Sequence, residues 1–173
     1  MAAGNTYESI ATANGTGSSA TISFTSIPST YTDLVIAGSY SATAGAGFDM
    51  TLNNVTTNTS YSLTRITFSG STITSYRSTS QNAFALNYNG SIASTPEYST
   101  VLIDLMNYAN TTTYKTMLVK FGNTTTDLGP IVGLWRGSTG SATEAINRID
   151  LKAAGGANWT TGTTFSLYGI KAA

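Results

Sequence analysis

Two stretches near the C-terminus decide the expected fold, AINRIDL at 145–151 and GTTFSLYGI at 162–170. Apolar and polar residues alternate in both, so that Ile149 and Leu151 share one side of the first stretch, and Phe165 and Leu167 share one side of the second. This period of two is the signature of a β-strand with one buried and one exposed face. We therefore expect a closing pair of strands, a C-terminal hairpin, with these four side chains in the core.

The N-terminal part of the chain predicts further strands. The runs at 7–12 and 20–24 flank Asn14 and Gly15, and Asn-Gly between alternating runs is the strongest short-range signal of a hairpin. A first hairpin is therefore expected there. The run DLVIAG at 33–38 is apolar nearly throughout, which predicts a central strand buried on both faces.

The remainder of the chain continues the pattern. Asn89 and Gly90 predict a second hairpin, and the runs at 97–105 and 114–121 predict two strands that pair with each other. The polar stretch 69–82 is long for a connection, so it is either functional or contains a further strand, and the further strand is favoured.

No apolar stripe with helical spacing persists along the chain, and strand-like runs recur roughly every 8–12 residues, as in β-sandwiches. The prediction is an all-β protein, an antiparallel two-sheet β-sandwich of jelly-roll-like type with about ten strands. A chain of 173 residues is expected to form a single domain over 1–173, in which 1–19 is an N-terminal arm or the first hairpin strand.

Charge is scarce: only 9% of the residues are charged and the formal net charge is +0. Binding to nucleic acid or to an anionic membrane needs clustered Lys and Arg, so neither is an expected partner. A near-neutral surface resists self-association poorly, which suits a subunit of a large ordered assembly. The N-terminal residues lack a signal-peptide pattern and no apolar run could span a bilayer, so synthesis without secretion is expected.

The chain contains no Cys and no His, which removes disulfides, thiolate metal sites and the commonest general base. Glycoside hydrolysis would need a carboxylate pair such as Asp104 with Glu97, and the strands could bring any two acids together. Solvated or turn-capping acids are the favoured interpretation. We therefore expect no enzymatic activity, no cofactor and no metal site.

Aromatic residues, with 10 Tyr, 6 Phe and 2 Trp, stand among Ser, Asn and Gly, as they do in recognition loops. The candidate contacts with a neighbouring subunit or a sugar are Tyr7, Tyr76, Arg77, Trp135 and Arg136. The alternative, which is favoured for residues at strand ends, is a ring that is half-buried with its polar tip in water.

Both ends of the chain resemble one family of proteins. The segments concerned are YESI at 7–10, ISFTSIP at 22–28, TYTDLVI at 30–36, INRIDL at 146–151 and NWTTGTTFSLYGI at 158–170. They are similar to segments of β-sandwich virion structural proteins of tailed bacteriophages, many of them from cyanobacterial and marine phages. The middle of the chain, 39–140, shares only the general pattern.

The resemblance implies a location in the virion and one of two roles. Such modules decorate and cement the capsid, or they belong to tail fibres and other appendages that bind host-surface glycan or receptor. Because the chain holds little besides the module and has no stem repeat, capsid decoration is the favoured expectation. The resemblance also implies contacts with the major capsid protein or other virion proteins, and a homo-oligomer with a trimer favoured.

Overall fold

The computed structural model describes residues 6–45, 47–86, 92–122 and 128–171. Within these ranges the chain forms 12 strands and no helix. The strands are β1 (Tyr7–Asn14), β2 (Thr21–Phe24), β3 (Asp33–Tyr40), β4 (Phe48–Leu52), β5 (Tyr61–Ser69), β6 (Thr72–Gln81), β7 (Phe84–Ala85), β8 (Ser99–Met106), β9 (Lys115–Gly122), β10 (Leu128–Trp135), β11 (Ile149–Ala153) and β12 (Thr164–Ile170).

The strands form two antiparallel sheets around one hydrophobic core. The larger sheet has eight strands in the order β1-β12-β3-β8-β9-β10-β5-β6, and the smaller has four in the order β2-β11-β4-β7. The predicted all-β two-sheet sandwich is therefore confirmed, with 12 strands where about ten were expected. Strands β5 and β6, and strands β8, β9 and β10, follow each other within the larger sheet. All other connections between consecutive strands cross from one sheet to the other. This connectivity is of the jelly-roll kind, but the strands are divided unequally between the two sheets.

The C-terminal pair of strands is not a hairpin, which corrects the expectation. β11 lies between β2 and β4 in the smaller sheet, whereas β12 lies between β1 and β3 in the larger one. The four side chains expected in the core are all buried, since Ile149, Leu151, Phe165 and Leu167 each have 0% exposure. Alternation indicates which face of a strand is buried but not which sheet the strand joins, so these two strands meet across the core.

The expected first hairpin is likewise replaced by a crossing between the sheets. β1 pairs with β12 at the edge of the larger sheet, and β2 pairs with β11 in the smaller sheet. Gly15 allows its backbone to lie close to that of Thr160, because a Cβ at this position would lie 2.1 Å from the carbonyl oxygen of Thr160. Its N–H donates to the carbonyl oxygen of Thr163 at 2.9 Å. Residues 7–14 are therefore a strand of the sheet and not a free N-terminal arm.

The other strand predictions are confirmed where the structure describes the residues. β3 lies between β12 and β8, and both Val35 on its outer face and Ile36 on its inner face are buried. The stretch 69–82 contains the further strand, β6, and β8 pairs with β9 as expected. The hairpin predicted at Asn89 and Gly90 lies outside the described residues.

An aromatic cluster joins the two sheets. Trp159, Tyr40, Phe48 and Phe165 are each at most 1% exposed, and their ring centroids lie 4.9 to 5.8 Å apart. Most of the pairs are edge-to-face, an arrangement that adds about 0.5–1.5 kcal/mol per pair beyond the burial of area. The indole N–H of Trp159 donates to the carbonyl oxygen of Leu151 at 3.1 Å. The cluster therefore fixes β11 and β12 against each other across the core.

Candidate functional site

The five candidate contact residues do not form one site. Tyr7 begins β1 at one edge of the larger sheet and is 60% exposed, while Tyr76 and Arg77 lie on β6 at the opposite edge. The seven spacings between the eight strands separate these edges by roughly 34 Å, at about 4.8 Å per spacing. Arg136 follows β10 and is half-buried, with its backbone N–H donating to the carbonyl oxygen of Ser60 at 2.8 Å.

Trp135 is a core residue, which corrects its assignment as a contact residue. Its side chain is 1% exposed at the end of β10. It lies four residues after Ile131, which is also 1% exposed, so strand alternation directs both side chains to the inner face. An indole in this position cannot reach a sugar or a partner protein.

Tyr76 lies on a strand, where a recognition loop was expected. Its ring is 45% exposed and covers the guanidinium of Arg65, whose Cζ lies 4.4 Å from the ring centroid. Arg65 is only 6% exposed, so this cation–π contact stabilises a charge that burial would otherwise penalise. Arg77 is on the opposite face of β6, beside its register partner Thr64. The two neighbouring candidates therefore face different sides of the sheet.

The outer face of the larger sheet carries a group of exposed apolar side chains. Eight large apolar side chains on five adjacent strands, β8, β9, β10, β5 and β6, are 36% to 67% exposed there, and all of them except Met106 lie in three neighbouring rows. We call this surface the outer apolar face; it comprises Ile66, Phe68, Ile73, Leu102, Leu118, Leu128 and Val132.

The register of the strands places these side chains in neighbouring rows. Phe68 pairs with Ile73 on one side and with Leu128 on the other, which forms one row of three apolar side chains. Val132 pairs with Leu118 in a parallel row. Neighbours in such rows are about 4.5–5.5 Å apart between their Cβ atoms. The row between these two contains Lys120, which lies between Leu102 and Pro130, so the apolar side chains surround one cation.

The size of the outer apolar face limits what it can do. Five strands span about 19 Å across the sheet and three rows span about 14 Å along it, which gives a footprint of roughly 270 Å². The largest apolar patch on a monomer is about 300–600 Å² and is often functional, whereas a standard interface buries about 800 Å² per partner. The outer apolar face is therefore no larger than the patches that monomers commonly carry, and it could form only the centre of an interface that also uses polar residues.

A second surface feature is a pocket of about 380 Å³ on the outer face of the smaller sheet. We call it the polar pocket; it is lined by Thr21, Asp49, Thr51, Asn54, Thr56, Asn82, Ala83, Arg148, Asp150 and Lys152. Four of these residues are charged, in a chain that has only eight basic and eight acidic residues. The scarce charges are thus concentrated in this concavity, with two of each sign.

Asp150 is a positioned anion in the polar pocket. Its side chain is 8% exposed, and both of its oxygens accept hydrogen bonds from Arg148, from Nε at 2.8 Å and from Nη2 at 2.8 Å. The hydroxyl of Ser23 on β2 also donates to this carboxylate. The hydrogen bonds to Asp150 favour the cation and so raise the pKa of Arg148. This bidentate pair makes one wall of the pocket rigid.

Asp49 is the second carboxylate of the polar pocket. It lies on β4 directly opposite Lys152 of β11. Burial raises the pKa of the Asp49 carboxyl, and the nearby Lys152 cation partly opposes that effect. A carboxyl group with a perturbed pKa in a concave site is a candidate functional group.

The two carboxylates do not form a competent hydrolytic pair. Asp150 pairs with Thr51, two residues from Asp49, so the aspartates are diagonal neighbours roughly 7–8 Å apart. That spacing is close to the roughly 6.5–9.5 Å between the carboxyls of inverting glycosidases. Asp150, however, has both oxygens bonded to Arg148, so it is poorly placed to act as the general base that activates a water molecule.

The carboxylate pair considered from the sequence is not brought together. Asp104 lies in β8, whereas Glu97 precedes that strand. The extended chain from Ser99 to Asp104 alone spans roughly 17 Å, which is too far for two groups that act on one glycosidic bond. Among the residues that the structure describes, no three His, Cys, Asp or Glu side chains are grouped as metal ligands.

Sequence reasoning did not find the polar pocket, because each of its acids is isolated in the sequence. The available signal was the alternation in two strands, with Asp49 and Thr51 on one face of β4 and Asp150 and Lys152 on one face of β11. Alternation puts these side chains on outer faces, but only the pairing of β4 with β11 brings them into one pocket.

Comparison of the chain with protein-family models, with curated proteins and with solved structures found no match. In the described ranges no helix has the length and apolar character needed to cross a membrane. The functional conclusions therefore depend on the two surfaces above and on the resemblance of the chain ends.

Proposed function

We propose that the chain is a structural protein of a tailed-phage virion that decorates and stabilises the capsid without catalysing a reaction. The observation that carries the proposal is the outer apolar face, seven exposed apolar side chains on five paired strands. A surface built on paired strands is preorganised, so little conformational entropy is lost when it binds. The similarity of segments within 7–36 and 146–170 to phage virion proteins supports the same role.

The magnitude of the apolar contact indicates how attachment would work. The footprint of roughly 270 Å² also holds polar side chains such as Lys120, so its burial contributes at most about 7 kcal/mol at 25 cal/mol per Å² of apolar area. Association alone opposes binding by about 4–15 kcal/mol, so a single such contact is weak. Firm attachment would need the polar rim or simultaneous contact with several capsid subunits. Because the protein would bind only the assembled shell, it would stabilise the shell by mass action.

The test is binding to phage capsids that were assembled without this chain. Val132→Asp puts a charge into the centre of the outer apolar face, where Val132 is 50% exposed, so the fold should tolerate the change. The variant should lose capsid binding, whereas Thr161→Asp, at an exposed position outside that face, should bind like the wild type. Equal binding of both variants would contradict the proposed contact.

The number of copies in purified particles tests the role itself. A decoration protein should be present in numbers comparable with the major capsid protein, as measured by quantitative mass spectrometry. Only a few copies per particle would contradict capsid decoration and would favour an appendage.

A second candidate function is the binding of host-surface glycan by an appendage module, and the polar pocket is the observation that favours it. Two carboxylates, two cations and the amides of Asn54 and Asn82 present both donors and acceptors to one ligand. Opposite charges balance within the pocket, which suits a neutral ligand with many hydroxyl groups, such as a saccharide. A volume of about 380 Å³ is within the range of small-molecule sites.

Glycan binding is tested with polysaccharide extracted from the host surface. Binding of the purified protein should be lost in Asp49→Ala and Asn82→Ala, whose side chains line the pocket, and retained in Tyr7→Ala, which lies on the larger sheet. Binding that survives both pocket substitutions would contradict this function for the polar pocket.

A further inference from the structure

β6 is an exposed edge strand of unusual length for this fold. Its ten residues, Thr72–Gln81, span roughly 33 Å and pair with β5 along one side only. No other strand in the described part of the chain pairs with it. All of its residues are exposed except Ser78, which is partly buried, so both faces and the unpaired edge are accessible.

The other edges of the two sheets are protected. β1 has a bulge between Ser9 and Ala11, and the smaller sheet ends in β2 with four residues and β7 with two. Bulges and very short edge strands are devices that prevent further strands from adding. β6 pairs regularly with β5 from Thr72 to Ser78, and its one irregularity is a bulge at Thr79 and Ser80, where the φ of Ser80 is 58°. The long regular part of β6 thus lacks the protection that the other edges have.

We propose that β6 pairs antiparallel with β6 of a second copy of this chain, about a twofold axis perpendicular to the sheet. Antiparallel pairing of a strand with itself is self-complementary, as a twofold interface requires. The formal net charge of the chain is +0, so two copies do not repel each other at long range. The outer apolar face reaches this edge at Ile73, which is 67% exposed, so pairing joins two such faces into one.

The charges and side chains of β6 favour a register centred on Ser75. That register puts Ile73 of one copy opposite Arg77 of the other, and Thr74 opposite Tyr76. The alkyl part of Arg77 then covers Ile73 while its guanidinium stays in water. The two Arg77 side chains, which carry the only charges on β6, are kept apart.

The size of the contact predicts a reversible dimer. In this register only Thr72–Ser78 of the two copies pair, so an edge about 24 Å long and about 10 Å thick buries roughly 240 Å² per partner, against about 800 Å² for a standard interface. The dimer should therefore form at high protein concentration and dissociate on dilution. The contact does not depend on attachment to a capsid, and it differs from the trimer that the resemblance implies.

Sedimentation velocity of the full chain over a wide concentration range tests the proposal. The mass of the wild type should rise from 18.0 kDa towards twice that value. Ser75→Lys puts two like charges directly opposite each other at the axis, so the dissociation constant should increase by more than about tenfold. Ser75→Asp should behave in the same way, and an equimolar mixture of the two variants should restore the dimer.

Thr116→Lys is the matched control, because it adds the same charge at an exposed position on the same sheet face, on β9 and away from the edge. It should dimerise like the wild type, and circular dichroism should show that all variants are folded. A wild type that stays monomeric at every concentration would overturn the proposal. So would a trimer, or association of Ser75→Lys that equals that of the wild type.

Discussion

Phe165→Ala should destabilise the protein strongly, because Phe165 is the residue through which β12 packs in the aromatic cluster. Its ring is 0% exposed and its centroid lies 5.3 Å from that of Trp159, 5.7 Å from that of Tyr40 and 5.7 Å from that of Phe48. Truncating a core Phe to Ala costs about 3–5 kcal/mol, out of about 5–15 kcal/mol for a whole domain. At about 2–4 °C per kcal/mol for a chain of this size, the melting temperature should fall by about 6–20 °C.

Urea unfolding followed by tryptophan fluorescence and circular dichroism measures the loss. Ser166→Ala is the control, because this neighbouring side chain faces outward and makes one exposed hydrogen bond, with the hydroxyl of Thr12 at 3.0 Å, so its removal should change the free energy of unfolding by no more than about 1 kcal/mol. If Phe165→Ala does not fold, Phe165→Leu should show a smaller loss of the same sign. A loss below about 1 kcal/mol for Phe165→Ala would refute the register of β12 and the packing of the two sheets at this point.

Three further substitutions test buried polar groups. Thr163→Val removes the hydroxyl that accepts a hydrogen bond from the N–H of Ser41 at 3.0 Å and donates one to the carbonyl oxygen of Ser41 at 2.9 Å. The free energy of unfolding, measured in thermal melts, should drop by about 1–3 kcal/mol. No change would contradict these two hydrogen bonds. Asp49→Asn should be more stable than the wild type at pH 7, because burial raises the pKa of Asp49 and the ionisation of this carboxyl therefore opposes folding. The gain in stability should vanish below the ordinary pKa of 3.8, where the wild-type carboxyl is neutral. An equal gain at pH 3 would contradict this cause. Lys115 is 1% exposed, and burial lowers the pKa of its amino group. The folded protein therefore favours the neutral amine, and the stability of the wild type should rise with pH towards the ordinary pKa of 10.5. Urea titrations of Lys115→Met should lack this rise.

Burial along individual strands was predictable from the sequence, because the alternation of side chains is a local property. Leu167 and Ile149 are buried as predicted. The pairing of strands was not predictable, since β1 and β12 come from opposite ends of the chain and no local pattern identifies a partner. The hairpin predicted at Asn14 and Gly15 was wrong for a related reason. Gly15 allows the backbone to approach Thr160 closely where the chain crosses between the sheets, and no hairpin turn forms there.

The functional surfaces were less predictable than the fold. The sequence predicts Tyr76 and Arg77 as contact residues, but their position on a long edge strand follows only from the sheet order. The polar residues after Trp135 predict a recognition loop, whereas its alternation with Ile131 places its side chain in the core. The outer apolar face consists of residues that are far apart in sequence, so its formation depends on register alone.

Lysine labelling of the free protein and of intact virions tests the central claim most directly. Lys120 is exposed and lies within the outer apolar face, between Leu102 and Pro130, whereas the exposed Lys152 and Lys171 lie elsewhere on the molecule. Acetylation read by mass spectrometry should show Lys120 protected in the virion, with Lys152 and Lys171 as reactive as in the free chain. A Lys120 that reacts equally in both states would contradict attachment through the outer apolar face.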